Sequence, residues 1–184
     1  MSMSLHGPSF ARARKWSSIF METGTHRGGG LYGAMLAHFE QFHTIEISRE
    51  LSDEARRNMG VCFGRIHYYV GDSGVLLPQV LTAIRDKCSI LLDAHLVADD
   101  NLSLAASGDC PLRRELEALA KSYRRDHLIM VDDIDLCGGP KMAGLSLLAV
   151  KGLIWNINPG YRFDIVDGVR PKMLLFALPP GFND

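Results

Sequence analysis

One stretch limits the folds open to this chain more than any other. It reads Ile19-Phe20-Met21-Glu22-Thr23-Gly24-Thr25-His26-Arg27-Gly28-Gly29-Gly30-Leu31-Tyr32-Gly33. An apolar run ends at an acid and gives way to a glycine-rich turn. Leu31, Met35, Leu36 and Phe39 then recur near helical spacing, which predicts a helix over 31–39. Strand, tight turn and helix in that order are how an open α/β sheet presents a nucleotide-like ligand. Glycine lets the backbone approach that ligand and take positive φ. Glu22 narrows the choice, because a carboxylate at the mouth of the turn repels a pyrophosphate and suits a ligand carrying an ammonium.

The rest of the chain continues the alternation. The first strand is predicted at 16–22. Later strands are predicted at 43–47, 65–70, 89–92 and 127–131, with helices at 48–60, 75–84, 111–123 and 144–156. Ser48 suits an N-cap and Gly60 a helix stop. Pro78 fits only if it lies in the first turn of its helix. Segments 161–166 and 172–178 flank Asp167-Gly168 and read as a closing hairpin. The expected fold is a Rossmann-like, doubly wound α/β sheet of about seven strands, with helices on both faces. It is mostly parallel, with the last strand antiparallel. Residues 1–15, polar and basic around Gly7-Pro8, are expected as a loose arm or short helix over the site. The loop 96–110 is long enough to be a lid.

Ligands of such sheets lie beyond the carboxyl ends of the strands. Those ends carry Glu22, Glu46, Asp72, Asp93 and the pair Asp132-Asp133. One such acid is ordinary turn or cap chemistry. Five strands ending this way would converge on one cleft, where carboxylates raise each other's pKa unless a cation or hydrogen-bond donors compensate. The pattern points to a cationic ligand, a bound metal, or both.

Composition removes other classes. With 184 residues the chain is expected to form a single domain, and a net charge of −1 gives no basic field for nucleic acid. No apolar run approaches the roughly 20 residues needed to span a bilayer, and no signal peptide is legible. Cys62, Cys88, Cys110 and Cys137 are widely spaced, unlike a zinc site or a disulfide framework. A cytoplasmic setting is expected.

Several segments together resemble a class I S-adenosylmethionine-dependent methyltransferase. They are Glu22-Thr-Gly24-Thr-His-Arg-Gly28-Gly-Gly30, Thr44-Ile-Glu46-Ile-Ser48, Gly71-Asp72-Ser73 and Leu92-Asp93-Ala-His95. The run Asp109-Cys-Pro-Leu-Arg-Arg-Glu-Leu-Glu-Ala-Leu119 and Val131-Asp132-Asp133 add likeness to a small methyltransferase-like family with a Leu-Asp-Ala-His signature. The resemblance implies that Glu22 and the turn through Gly24, Thr25, Gly28 and Gly30 hold the methionine part of the cofactor. It implies that Glu46, followed by Ile47, takes the ribose hydroxyls. Asp72 and Ser73 would address the adenine edge, with Asp93 completing the cofactor set. A cofactor with an ammonium, a sulfonium and no phosphate agrees with the charges.

The chain also resembles catechol-type O-methyltransferases, which share this sheet. In them an acid after the fourth strand and an Asp-Asn pair after the fifth bind magnesium. Here Asp93, Asp132 and Asp133 would be the ligands, with oxygen chemistry suited to Mg²⁺ or Ca²⁺. Such a metal would acidify a substrate hydroxyl. Those enzymes carry a lysine base three residues after the first acid, where Leu96 stands here. His95 is the nearest substitute base, alongside Asp93 as a catalytic residue; its alternative is a hydrogen-bonded structural histidine.

The expected function is methyl transfer to a small acceptor, with a homo-oligomer or the lid closing the site. One alternative keeps the cofactor pocket without this chemistry. Another follows Gly28-Gly-Gly30-Leu-Tyr-Gly33, which matches the dinucleotide pattern and would make the chain an NAD-binding oxidoreductase. His26 and Arg27 are either cofactor-carboxylate contacts or solvated turn residues.

Overall fold

The chain is described from a computed structural model covering residues 7–60, 65–94, 110–168, 170–171 and 173–184. Seven strands form one sheet: β1 (Ile19–Thr23), β2 (Gln41–Glu46), β3 (Ile66–Val70), β4 (Ser89–Leu92), β5 (Leu128–Val131), β6 (Arg162–Val166) and β7 (Leu174–Leu178). Their order is β3-β2-β1-β4-β5-β7-β6. β1 to β5 pair in parallel, while β7 runs antiparallel between β5 and β6. The doubly wound sheet with a closing hairpin is therefore present. β1, β4 and β5 are buried throughout, as their continuous apolar runs require of strands covered on both faces.

Among the described residues six α-helices supply that cover: α1 (Gly7–Arg14), α2 (Gly29–Leu36), α3 (Arg49–Met59), α4 (Ser73–Ile84), α5 (Leu112–Lys121) and α6 (Leu147–Ile157). Alternation along each strand sorts the core into two layers. Met21, Ile90, Leu92, Ile129 and Val131 pack under α4, α5 and α6 through Leu77, Leu116 and Ile154. Phe20, Leu91, Met130 and Phe176 face the other way, against Phe10 of α1, Leu31 of α2 and Met59 of α3. Among the described residues no helix is long and apolar enough to cross a membrane.

Besides shifts of two or three residues at the ends of α2, β2 and α6, three details differ from the sequence reading. β1 begins at Ile19, not at residue 16. The Trp16 indole donates to the Asp126 carbonyl at 2.8 Å, and Ser17 donates to Lys87 O at 2.6 Å, so their backbone turns away from the ladder. Within the expected N-terminal arm, residues 7–14 form the helix α1, which does not lie over the strand ends. Phe10 packs on Phe20 at 5.6 Å between ring centroids, and Ser89 Oγ, at the start of β4, donates to Ala13 O at 2.7 Å. α1 is thus core of one face, ending at the opposite edge of the sheet. α4 starts two residues early, capped by Asp72, which accepts from Gly74 N at 2.8 Å. Pro78 then lies inside the helix on its exposed side rather than in the first turn. Residues 96–109 of the expected lid lie outside the described residues; Cys110, its last residue, is buried.

Candidate functional site

The glycine turn is built against the ends of three strands. Gly24 takes φ 79, donates to Ile45 O at 2.9 Å, and leaves no room for a Cβ against the Asp93 carbonyl. Gly28 takes φ 87 and leads into α2. Gly30 sits in the first turn of that helix, where a Cβ would strike Glu22 Oε2. Glu22 is therefore packed beneath the helix start. Its Oε1 accepts from Thr44 Oγ1 at 2.9 Å, and Thr44 in turn bonds Thr25 Oγ1. Burial pushes the Glu22 carboxyl up to about 8; the Thr44 bond opposes this and Glu46 adds to it. The dinucleotide pattern fits this geometry poorly. Its first glycine follows β1 by several residues, its second covers a carboxylate, and its third, Gly33, is mid-helix against the Phe10 ring.

Glu46 ends β2 and is 5% exposed. Its two oxygens accept from His26 N at 2.8 Å and Ser48 N at 3.0 Å. These bonds fix the carboxylate at the carboxyl end of β2 while leaving lone pairs on both oxygens. His26 reaches it through a positive φ of 47. Arg27 points elsewhere, to Glu54 of α3 at 3.0 Å. Ile47 is half-buried beside Glu46. Asp72, expected at the adenine edge, is already engaged. Besides capping α4, it accepts from Arg114 of α5 at 2.8 Å. Ser73 is 6% exposed at the first position of α4.

At the ends of β4 and β5 the acids do converge. Asp93 N donates to Thr23 O and Asp132 N to Leu92 O, so these strand ends stay in register. The Asp93 carboxyl is held well above the usual range, first by burial and then by Asp132, Asp133, Glu22 and Glu115. Asp132 is 2% exposed and accepts from Asp133 N at 2.8 Å. Asp133 adopts φ 52, and its Oδ1 accepts from Arg170 Nη2 at 2.6 Å. Arg170 also meets Asp135 at 3.3 Å. Among the described residues no three His, Cys, Asp or Glu side chains are gathered as ligands for one ion. A guanidinium holds the carboxylate expected as the third ligand. The set Asp93, Asp132 and Asp133 therefore does not fit Mg²⁺ or Ca²⁺ as arranged here. His95, the expected base, lies outside the described residues.

The sequence reading missed Glu115. It sits in the first turn of α5, is 1% exposed, and its carboxyl lies beside the Ser73 and Thr23 hydroxyls. The signal was available: Leu112, Leu116 and Leu119 mark the inward face of α5, and Glu115 falls on that face by its spacing. Thr44, Arg114 and Arg170 were also missed, because each acts through a partner distant in sequence.

The chain is similar in fold to several methyltransferase structures. One is an O-methyltransferase from Bacillus cereus in complex with SAH, 16% identical, with a TM-score of 0.58, covering 97% of this chain and 84% of that one. Another is the O-methyltransferase TomG from Streptomyces achromogenes in complex with SAM, at 15% identity and TM-score 0.60, covering 97% and 82%. A third is the SAH-bound methyltransferase PaMTH1 from Podospora anserina, at 13% identity and TM-score 0.58, covering 97% and 80%. No protein-family model and no curated protein matches the sequence. Likeness at this level of identity establishes the shared class I methyltransferase fold.

Proposed function

We propose that this chain binds S-adenosylmethionine at the carboxyl edge of its sheet and transfers the methyl group to a small acceptor. One observation carries the reading: Glu46 is locked at the carboxyl end of β2 by two backbone N–H groups, beside a glycine turn with the Glu22 carboxyl beneath it. That arrangement offers paired acceptors to two vicinal hydroxyls. It places acidic rather than basic side chains under whatever lies over the turn.

In this reading Glu46 accepts from the ribose hydroxyls and Ile47 covers the sugar. The turn from Gly24 to Gly30, with Thr25, carries the methionine part. Glu22, shielded by Gly30 and Thr44, carries its proton below a pKa of about 8, and an ammonium lying over the turn draws that pKa down so that the carboxyl ionises against it. Ser73 and the start of α4 face the adenine, with Asp72 holding them in place through its cap and its ion pair to Arg114. Asp93 closes the pocket from β4. When bound, the cofactor supplies an electrophilic methyl on a sulfonium. The protein contributes position, since an in-line displacement gains most from holding donor and acceptor in attack geometry.

Thermal unfolding in the presence of ligand tests this. S-adenosylmethionine and S-adenosylhomocysteine at 100 times Kd are expected to stabilise by about 2.7 kcal/mol, while NAD gives no shift. A shift with NAD alone would transfer the site to a dinucleotide.

A further inference from the structure

β6 stands at one end of the sheet, and among the described residues it pairs with β7 alone. A strand in that position presents unpaired N–H and C=O groups to whatever meets it. Monomeric proteins commonly blunt such an edge with a proline, a lysine or a bulge. β6 has none of these. It reads Arg162-Phe163-Asp164-Ile165-Val166, and its register with β7 is unbroken over all five residues.

The α6 side of this edge is apolar. Phe163 packs edge-on against Trp155 at 5.1 Å between ring centroids, and the Trp155 indole donates to Tyr161 O at 3.1 Å, which holds the ring beside the strand. Ile165 shares the face of Phe163 by the two-residue period of a strand and is 42% exposed. Leu148, two helical turns before Trp155 on α6, is 73% exposed. Contiguous apolar surface of this kind, anchored by an ordered tryptophan, marks a protein contact rather than a solvated face.

The other side of the edge decides which protein. It carries Arg162 and Asp164, of opposite sign and two residues apart. Arg12 is shared between Asp164 and Asp184, so one guanidinium serves two carboxylates, and the Asp164 side chain is left 45% exposed. Arg162 gives one nitrogen to Phe182 O at 2.9 Å and keeps further donors. Laid antiparallel on a second β6 with Phe163 opposite Phe163, Arg162 of each copy falls opposite Asp164 of the other. On the α6 side Ile165 then falls opposite Tyr161. One register matches the charges twice and sets apolar residues against each other. The far edge of the sheet offers no such match, because Arg65 and His67 of β3 are both basic and two residues apart.

We propose that this chain forms a two-fold dimer by antiparallel pairing of β6 with β6 of a second copy, centred on Phe163. The two seven-stranded sheets become continuous, and Trp155, Ile165 and Leu148 of both copies cover the seam on the α6 side. The pairing turns the copies end for end, so the carboxyl edges of their parallel strands point in opposite directions. Neither copy closes the other's cofactor site, unlike the homo-oligomer expected from the sequence.

Sedimentation velocity of the full chain, from about 1 to about 100 micromolar, tests this in the range where a modest interface associates. The wild type is expected to pass from monomer to dimer within that range. Ile165→Lys, which places a lysine on the edge, is expected to stay monomeric throughout and to change S-adenosylhomocysteine affinity less than twofold. Arg162→Glu and Asp164→Lys, each alone, are expected to weaken the dimer at least tenfold through like charges facing each other. Mixed one to one, they are expected to dimerise again, because the two substituted positions then face each other with opposite signs. The charge variants keep the test decisive if Ile165→Lys folds poorly, and the reverse holds. A wild type monomeric to about 100 micromolar, an Ile165→Lys dimer as tight as the wild type, or a mixture no tighter than its components would overturn the proposal. A tenfold loss of S-adenosylhomocysteine affinity in monomeric Ile165→Lys would overturn the end-for-end arrangement. Sedimentation needs no cofactor, so it judges the dimer whatever becomes of the cofactor reading.

Discussion

Single carboxylates decide most of what this site can hold. Glu46 is satisfied by His26 N and Ser48 N, so truncating it strips two backbone donors of their acceptor as well as removing the ribose contact. Glu46→Ala is expected to lower stability by about 1–3 kcal/mol per orphaned donor and to abolish the S-adenosylhomocysteine shift. Urea unfolding measures the first effect and a thermal titration the second. Glu22 makes a different point, because its folded pKa of about 8 lies above its ordinary 4.5. A group raised in this way contributes stability that is complete below its unfolded value and lost as pH rises through the folded value. Asp93, also raised, acts in the same direction. Wild-type unfolding free energy is therefore expected to fall between pH 5 and about pH 9, beyond Glu22's folded value, by on the order of a few kcal/mol. Glu22→Gln should remove much of that slope; an equal slope in both proteins would show that Glu22 titrates normally.

At the scale of elements, the glycine turn and the two helices around it test packing directly. Gly33 of α2 faces the Phe10 ring of α1, with no space for a methyl group. Gly152, mid-way along α6, has nothing within 4 Å of a Cβ. Gly33→Ala is expected to cost about 1–3 kcal/mol through overpacking. Gly152→Ala should gain about 0.5–1 kcal/mol from helix propensity. Chemical denaturation of the pair reads both signs. The same elements show what the sequence made legible. The Ser48 cap, the buried β4 and the closing hairpin were each written in local residues, and each appears where expected. The start of β1 was not, since Trp16 and Ser17 find partners about 110 and 70 residues away. Nor was the docking of α1, which depends on a gap at Gly33 that no periodicity reveals. The short 3₁₀ turns at Ile134–Leu136 and Pro140–Met142 carry no repeating pattern, although both Ile134 and Met142 are buried in the core.

For the whole molecule, parallel topology does the gathering. Once β1 to β5 run the same way, acids written far apart in the chain must end on one edge, and Asp93 feels Asp132, Asp133, Glu22 and Glu115 together. That convergence was legible from the order of strands and acids alone. Which acids are already occupied was not: Asp72 goes to Arg114, Asp133 to Arg170, and Glu115 joins them from a helix rather than a strand end. Of the acids expected as metal ligands, Asp133 is the one a guanidinium already holds. The most direct measurement of this negatively charged edge is calorimetric titration of S-adenosylhomocysteine into the wild type and Glu46→Ala, with NAD as control. Saturable binding to the wild type, at least a hundredfold weaker in a folded Glu46→Ala and absent with NAD, is the expected result. Equal affinity in both proteins, or binding of NAD in place of S-adenosylhomocysteine, would contradict it.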